Sequence, residues 1–225
     1  MELSQRLRAV ADFIIAGEPA ADIGTDHCGL PVYLTENNIC PFVIAGEKTK
    51  TSSAAAKRKI SSLNLEDRIS VRTGDGLAVL QPREAATAII AGMGGCNIIK
   101  ILSDHPEITR SLRRIILQPQ SDIPAVRAFL QDNCWRITAE KVVFEAGIYY
   151  EIIAAERGTM TLSDAERLCG PVLLAENSRI FRECLQHRLS VAQSLLNQLD
   201  KKAAGERIAE IKAAMQIFEA ALAVK

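Results

Sequence analysis

Short, unbroken apolar runs recur at regular intervals along the first two thirds of the chain. They are Ala20-Ala21-Asp22-Ile23, Phe42-Val43-Ile44-Ala45, Ile69-Ser70-Val71-Arg72, Ala88-Ile89-Ile90-Ala91 and Arg114-Ile115-Ile116-Leu117. Runs that are largely continuous rather than alternating predict strands covered on both faces. The segments between them, 30–36, 52–63, 98–102 and 123–133, are helix-compatible. Strand and helix alternating at this spacing predict βαβ units on a parallel sheet. From Trp135 to Glu156 the pattern changes: Ile137, Val142-Val143-Phe144 and the stretch from Tyr149 to Ala155 read as strands around a turn at Ala146-Gly147. An antiparallel hairpin is therefore expected to close the sheet edge. The first part of the chain is expected to be a doubly wound α/β fold of about seven strands.

A second pattern starts after Gly158. From Ser163 onward glycine and proline occur only at Gly170-Pro171 and Gly205, and Leu173, Phe181, Leu185, Leu189, Leu196 and Leu199 repeat at spacings of three, four, seven and eight. That stripe predicts one amphipathic helix. After Lys201-Lys202 and Gly205, a second stripe of Ile208, Ile211, Met215, Phe218 and Leu222 predicts another. Two helices joined by a short polar loop read as an antiparallel hairpin. The expected division is a domain over 1–158 and a helical hairpin over 159–225. The hairpin either packs its own apolar faces or acts as a lever on a large substrate or partner.

Composition narrows the class. The chain has 225 residues, 48% of them hydrophobic and 24% charged, so one ordinary α/β domain with a small appendage is expected, and disorder is not. Lys+Arg and Asp+Glu both number 27. No global basic field advertises nucleic acid, though a balanced chain can still carry a local basic face. Aromatics at 4% argue against base-stacking platforms. The first residues, MELSQRLRAVADFIIAG, mix charged and apolar positions at helical spacing, which does not read as a signal peptide. No apolar run approaches roughly eighteen residues, so no membrane span is expected. Six scattered cysteines without a C-x-x-C pair read as reduced, mostly buried small residues, with no metal site. The expected compartment is the cytoplasm. A monomer is slightly favoured, although the sequence does not set the oligomeric state.

Candidate chemistry lies at the carboxyl ends of the predicted parallel strands, where open α/β sheets bind ligands. The first strand runs into Asp22-Ile23-Gly24-Thr25-Asp26-His27-Cys28-Gly29. This is neither G-x-G-x-x-G nor a phosphate loop with its lysine, so a nicotinamide dinucleotide is disfavoured. A carboxylate at the strand tip would repel a pyrophosphate but suits a cationic ligand. The second strand ends in Gly46-Glu47-Lys48, and an acidic residue at this distance is placed for a ribose diol. Gly74-Asp75-Gly76 could meet the amine of an adenine, and Ala91-Gly92-Met93-Gly94-Gly95 leaves backbone open to a flat or bulky ligand. Singly, each has an ordinary structural explanation. Together they describe a pocket for a nucleoside with a cationic tail and no phosphate, which fits S-adenosylmethionine.

The segments ADIGTDHCGLP, AGE, GDG, AGMGG and LQPQ, followed by IYYEIIAAERG and the helical hairpin, stand in an order that resembles the bacterial tRNA (adenine(22)-N1)-methyltransferases over nearly the whole chain. The resemblance implies a Rossmann-like class I methyltransferase sheet with a C-terminal coiled-coil hairpin. It also implies S-adenosylmethionine as cofactor, tRNA as partner, and methylation of N1 of an adenine in the D-loop region. The chain departs from the family pattern at Gly29, where the family carries an aromatic residue, and at Gln120, where it carries Asn.

Adenine N1 is available only in an unpaired or flipped base, and its methylation leaves a positive charge that a carboxylate could relieve. Nothing in Ala91–Gly95 titrates, so Asp26 is the expected acceptor-side carboxylate. His27 either orients the base or caps the following helix. Gln118, before Pro119, either reads the adenine edge or bonds within the loop, and Tyr150 either stacks the base or only packs. His105, in an expected loop before Pro106, and His187 read as structural or solvated. Phosphate contacts could come from Arg6 and Arg8, from Lys57-Arg58-Lys59, or from Arg179, Arg182 and Arg188. Two other readings stay open: a methyltransferase for a small molecule or protein with the hairpin as dimer interface, and a sensor that binds the cofactor without turnover.

Overall fold

The computed structural model describes residues 2–25, 27–199 and 205–224. The chain divides into two compact units, Met1–Thr161 and Leu162–Lys225. The first contains a seven-stranded sheet built from β1 (Ala20–Ile23), β2 (Val43–Glu47), β3 (Ile69–Thr73), β4 (Thr87–Met93), β5 (Arg114–Pro119), β6 (Trp135–Glu145) and β7 (Ile148–Arg157). The strand order is β3-β2-β1-β4-β5-β7-β6. β1 to β5 are parallel, and β7 runs antiparallel between β5 and β6. Every residue of β1 and β2 is buried, as strands covered on both faces require.

The helices of this unit are α1 (Gln5–Ala11), α2 (Gly29–Glu36), α3 (Lys50–Ser62), α4 (Gly95–Asp104), α5 (Pro106–Ser111) and α6 (Ile123–Asp132). Ser4 caps α1 by accepting from the Leu7 N–H, and Thr49 caps α3 by accepting from Ser52. One core joins Val10 and Ile14 at and beyond α1 and Leu30 and Leu34 of α2 to Val43, Ile89, Ile116 and Ile152 of the sheet. Val32, Ala56 and Ile60 pack with Ala45 and Ile69. The β6–β7 turn sits at Ala146 and Gly147, both with positive φ, as a tight hairpin demands.

Two expectations need correction. Pro106 does not lie in a loop: it begins α5, because a proline lacking an N–H is tolerated at a helix's first position, and His105 becomes the joint between α4 and α5. The stripe from Leu173 to Leu199 is not one helix. The second unit holds α7 (Asp164–Cys169), α8 (Pro171–Glu176), α9 (Arg179–Gln198) and α10 (Gly205–Ala223). Gly170 at φ +95 with Pro171 separates α7 from α8, and left-handed Asn177 followed by the capping Ser178 separates α8 from α9. Ser163 and Glu166 form a capping box at the start of α7. α9 and α10 are antiparallel: Arg182, near the start of α9, donates to the Leu222 and Val224 carbonyls at the end of α10, at 2.9 and 2.8 Å. The expected polar loop at Lys201-Lys202 lies outside the described residues.

An ion trio ties α6 to the hairpin. Arg127 is fully buried and donates from Nε to Glu140 at 2.9 Å and from a terminal nitrogen to Glu151. Both carboxylates are buried as well. A lone guanidinium there would be prohibitive, whereas two facing carboxylates hold it charged despite the desolvation that opposes it.

Candidate functional site

The parallel register brings four strand ends level. Asp22 pairs with Ala45 of β2 and Ile89 of β4, and the Gly24 N–H donates to the Gly46 carbonyl at 2.8 Å, carrying β1's alignment one step past its last residue. The Gly74 N–H does the same toward Glu47 at 2.9 Å. At and just beyond these ends lie Gly24-Thr25, Glu47-Lys48, Asp75-Gly76 and Gly92-Met93-Gly94, so the residues expected to bind the cofactor converge on one edge of the sheet.

Gly24 has φ +74, and a Cβ there would sit 2.4 Å from the Met93 methyl, so β4's Met93 reaches across the tip of β1. At the next turn, a Cβ on Gly95 would come 2.6 Å from the Ser121 carbonyl oxygen and 2.9 Å from that of Asp122. The β4–α4 turn and the β5–α6 loop thus touch backbone to backbone, and only glycine fits.

Two buried carboxylates set the electrostatics. Asp22 is 4% exposed and Glu47 8%, and neither forms an ion pair among the described residues. Burial pushes the Asp22 carboxyl up to about 6, with Glu47's charge adding to the rise while the Thr25 side chain and Arg6 oppose it. Such a site favours a cation: a positive group beside Asp22 would relieve both desolvation and repulsion. A cleft of about 260 Å3 opens beside Glu47, lined by Gly24, His27, Ser52 and Lys59. A smaller recess of about 80 Å3 lies beside Asp75 and Gly76. Asp75 is an exposed carboxylate paired with Lys48 at 3.0 Å, and that hydrogen bond holds it below the usual carboxylate range.

Asp26, expected on the acceptor side, lies outside the described residues. The next two residues, His27 and Cys28, are both left-handed, at φ 61 and 53, a conformation that side chains resist and that places strain in the loop. Lys59 of α3 donates to the His27 carbonyl and fastens this loop. The N-cap residue of α2 is Cys28, and among the described residues no side-chain hydrogen bond caps this helix. The buried Cys28 thiol is pushed up to about 11 by desolvation, aided by Asp22 and Glu47, which keeps it neutral and unreactive.

Gln118 is fully buried, and its amide is engaged inside the protein. Oε1 accepts from Arg6 at 2.7 Å and from the Gly92 N–H at 3.1 Å, while Nε2 donates to the Pro119 carbonyl at 3.1 Å. Gln118 therefore holds the β4 tip rather than presenting an open edge. Half-buried Tyr150 faces the same group, with the Arg6 guanidinium 5.4 Å from its ring centre. Arg6 is thus a site residue that the sequence suggested only as a phosphate contact.

The other basic candidates divide. Lys57 and Arg58 are exposed and make no ion pair among the described residues. Arg8 lies 3.8 Å from Glu2, Arg179 pairs with Glu183, and Arg182 is occupied with the end of α10.

Known proteins match both the sequence and the fold of this chain. A family model described as tRNA (adenine(22)-N(1))-methyltransferase matches residues 20–220. The curated tRNA (adenine(22)-N(1))-methyltransferase of Bacillus subtilis is 33% identical, covering 97% of this chain and 96% of its own. The crystal structure of the B. subtilis m1A22 tRNA methyltransferase superposes with a TM-score of 0.89 at 33% identity, over 98% of this chain and 99% of that one. A Streptococcus pneumoniae protein crystallised with S-adenosyl-L-methionine superposes with a TM-score of 0.90 at 32% identity, over 98% and 100%.

Proposed function

Because the chain belongs to the tRNA (adenine(22)-N1)-methyltransferase family, we propose that it transfers a methyl group from S-adenosylmethionine to N1 of adenine 22 of tRNA. The observation that carries this reading is the pair of buried carboxylates at the ends of β1 and β2, Asp22 and Glu47, which have no ion-pair partner among the described residues. They suit the two polar ends of a nucleoside with a cationic tail.

In this reading Asp22 faces the amino-acid end of the cofactor, with Gly24 and Thr25 forming the turn around it. Glu47 accepts the ribose hydroxyls, with Lys48 beside it, and Asp75 between Gly74 and Gly76 meets the adenine amine. Ala91, Gly92, Met93 and Gly94 form the wall where the methyl donor and the target base approach. The bound cofactor supplies a sulfonium methyl, and the protein's contribution is to align the target nitrogen with it. Arg6 and Gln118 hold the Gly92 backbone in place, and Tyr150 stands beside Arg6 where a flipped base would enter. Asp26 is the proposed carboxylate for the charge that N1 methylation creates, and His27 flanks it.

The partner is tRNA, with exposed Lys57 and Arg58 among the phosphate contacts, and the enzyme acts in the cytoplasm as a monomer. No helix among the described residues is long and apolar enough to cross a membrane. The test is incubation with S-adenosylmethionine and unmodified tRNA, followed by nucleoside mass spectrometry. A rise in 1-methyladenosine, abolished when adenine 22 is replaced, is the expected result. Transfer only to a small molecule or protein would refute it.

A further inference from the structure

At the end of the sheet opposite the strand tips described above lies a cavity of about 370 Å3, bounded by α4, α5, the end of α6 and the outer ends of β6 and β7. Its polar lining has one sign. Arg110 of α5 and Arg157 of β7 both border it, and no carboxylate among the described residues does. Arg110 forms no ion pair or hydrogen bond among the described residues and is exposed. Arg157 is fixed in place: it donates to the Thr109 carbonyl at 2.6 Å and more weakly toward that of Asn133, and its guanidinium lies 3.9 Å over the Trp135 ring. Desolvation lowers the Arg157 pKa and the charge of Arg110 lowers it further, with only the Cys134 thiol opposing. Elsewhere in this unit comparable arginines meet carboxylates: Arg72 meets Glu84, Arg113 meets Glu18 and Arg114 meets Glu156. The wall also contains an orphaned donor, since the fully buried Trp135 has an indole N–H with no hydrogen-bond partner among the described residues.

We propose that this cavity is a second ligand site that binds a phosphate group, held between Arg110 and the pre-oriented guanidinium of Arg157. Guanidinium forks match the oxygens of phosphate, and two cations brought together without a carboxylate are balanced by an anion. Leu102, Pro106 and Phe129 give the remaining wall an apolar character, so the phosphate is carried on an organic group. That group is either a small phosphoester or a stretch of RNA backbone, and the two sources share the same recognition.

The experiment uses the full-length protein, Arg110→Gln, and Arg157→Lys as a second variant that keeps one donor for the Thr109 carbonyl. S-adenosylmethionine affinity serves as the control for folding. Pyrophosphate is titrated against thermal stability and by calorimetry, and tRNA binding is measured across a salt series. The cofactor has no phosphate, so pyrophosphate does not compete for its pocket. Saturable pyrophosphate binding that weakens about ten-fold or more in Arg110→Gln assigns a small phosphoester, as loss of a charged hydrogen bond requires. A fall in tRNA affinity, with a salt slope smaller by about one, assigns an RNA phosphate. Either result supports the site. Unchanged pyrophosphate and tRNA binding in both variants would overturn it.

Discussion

Replacing Asp22 by Asn should make the free protein more stable while weakening its hold on the cofactor. The carboxyl is raised from 3.8 to about 6, chiefly by desolvation, so ionising it in the folded chain is unfavourable. That rise corresponds to about 3 kcal/mol of stability lost at pH values well above 6, an upper bound for what the amide can restore. The sign follows from linkage. A carboxyl whose folded pKa exceeds its unfolded value contributes stability at low pH, and loses it as pH rises through about 6. The advantage of Asp22→Asn should therefore be largest near pH 8 and shrink toward zero as pH falls through 6 toward 4. At about 2–4 °C per kcal/mol for a chain of this size, thermal melts resolve it. Calorimetry on the same samples should show S-adenosylmethionine bound about ten-fold or more weakly, since the amide offers no charge to the ligand's ammonium. Wild-type affinity should fall below pH 6. A variant no more stable than wild type at pH 8, or equally stabilised at pH 4 and pH 8, would refute the account.

Other substitutions probe separate parts of the structure. Arg127→Met leaves Glu140 and Glu151 facing each other in the interior, and denaturant unfolding should show a loss of about 3–5 kcal/mol; a loss below 1 kcal/mol would mean the trio is not holding α6 to the hairpin. Gly95→Ala drives a methyl into two backbone carbonyls, so stability should fall by about 1–3 kcal/mol and cofactor affinity with it, both measurable in one ligand-dependent melt. Arg6→Ala removes one of two donors to Gln118 Oε1 and should lower kcat for tRNA methylation while the dissociation constant for S-adenosylmethionine stays near wild type. Equal losses in both would place Arg6 in the cofactor pocket instead.

The convergence of Asp22, Glu47 and the glycine turns on one edge of the sheet was legible in the sequence because its signals are local. Asp22 precedes Gly24 by two residues and Glu47 ends an apolar run, so once the runs are taken as parallel strands the tips must converge. The surroundings of Gln118 and His27 are held by contacts that local patterns do not carry. Arg6 lies 112 residues from Gln118, and Lys59 lies 32 from the His27 carbonyl it binds. In sequence Gln118 looks like a polar residue at a strand end, and only the fold turns its amide inward. Arg127 fell inside a stretch read simply as helix-compatible, because its carboxylates come from two later strands. In the C-terminal unit the apolar spacing runs past Asn177-Ser178 without interruption, so periodicity concealed a break that backbone conformation imposes.

The position of β7 between β5 and β6 has a consequence for a chain emerging from the ribosome. Strands β1 to β5 can assemble in the order in which they are made, but β5's outer neighbour is the last strand of the sheet. Until residues 153–156 are available, the peptide groups of Ile115 to Leu117, fully enclosed in the finished molecule, form a bare apolar sheet margin open to any extended segment nearby. A nascent chain halted between β5 and β7 should therefore be the species most prone to self-association. Once the hairpin inserts, the margin passes to β6, whose exposed Arg136 and Lys141 make it a poor template for another chain.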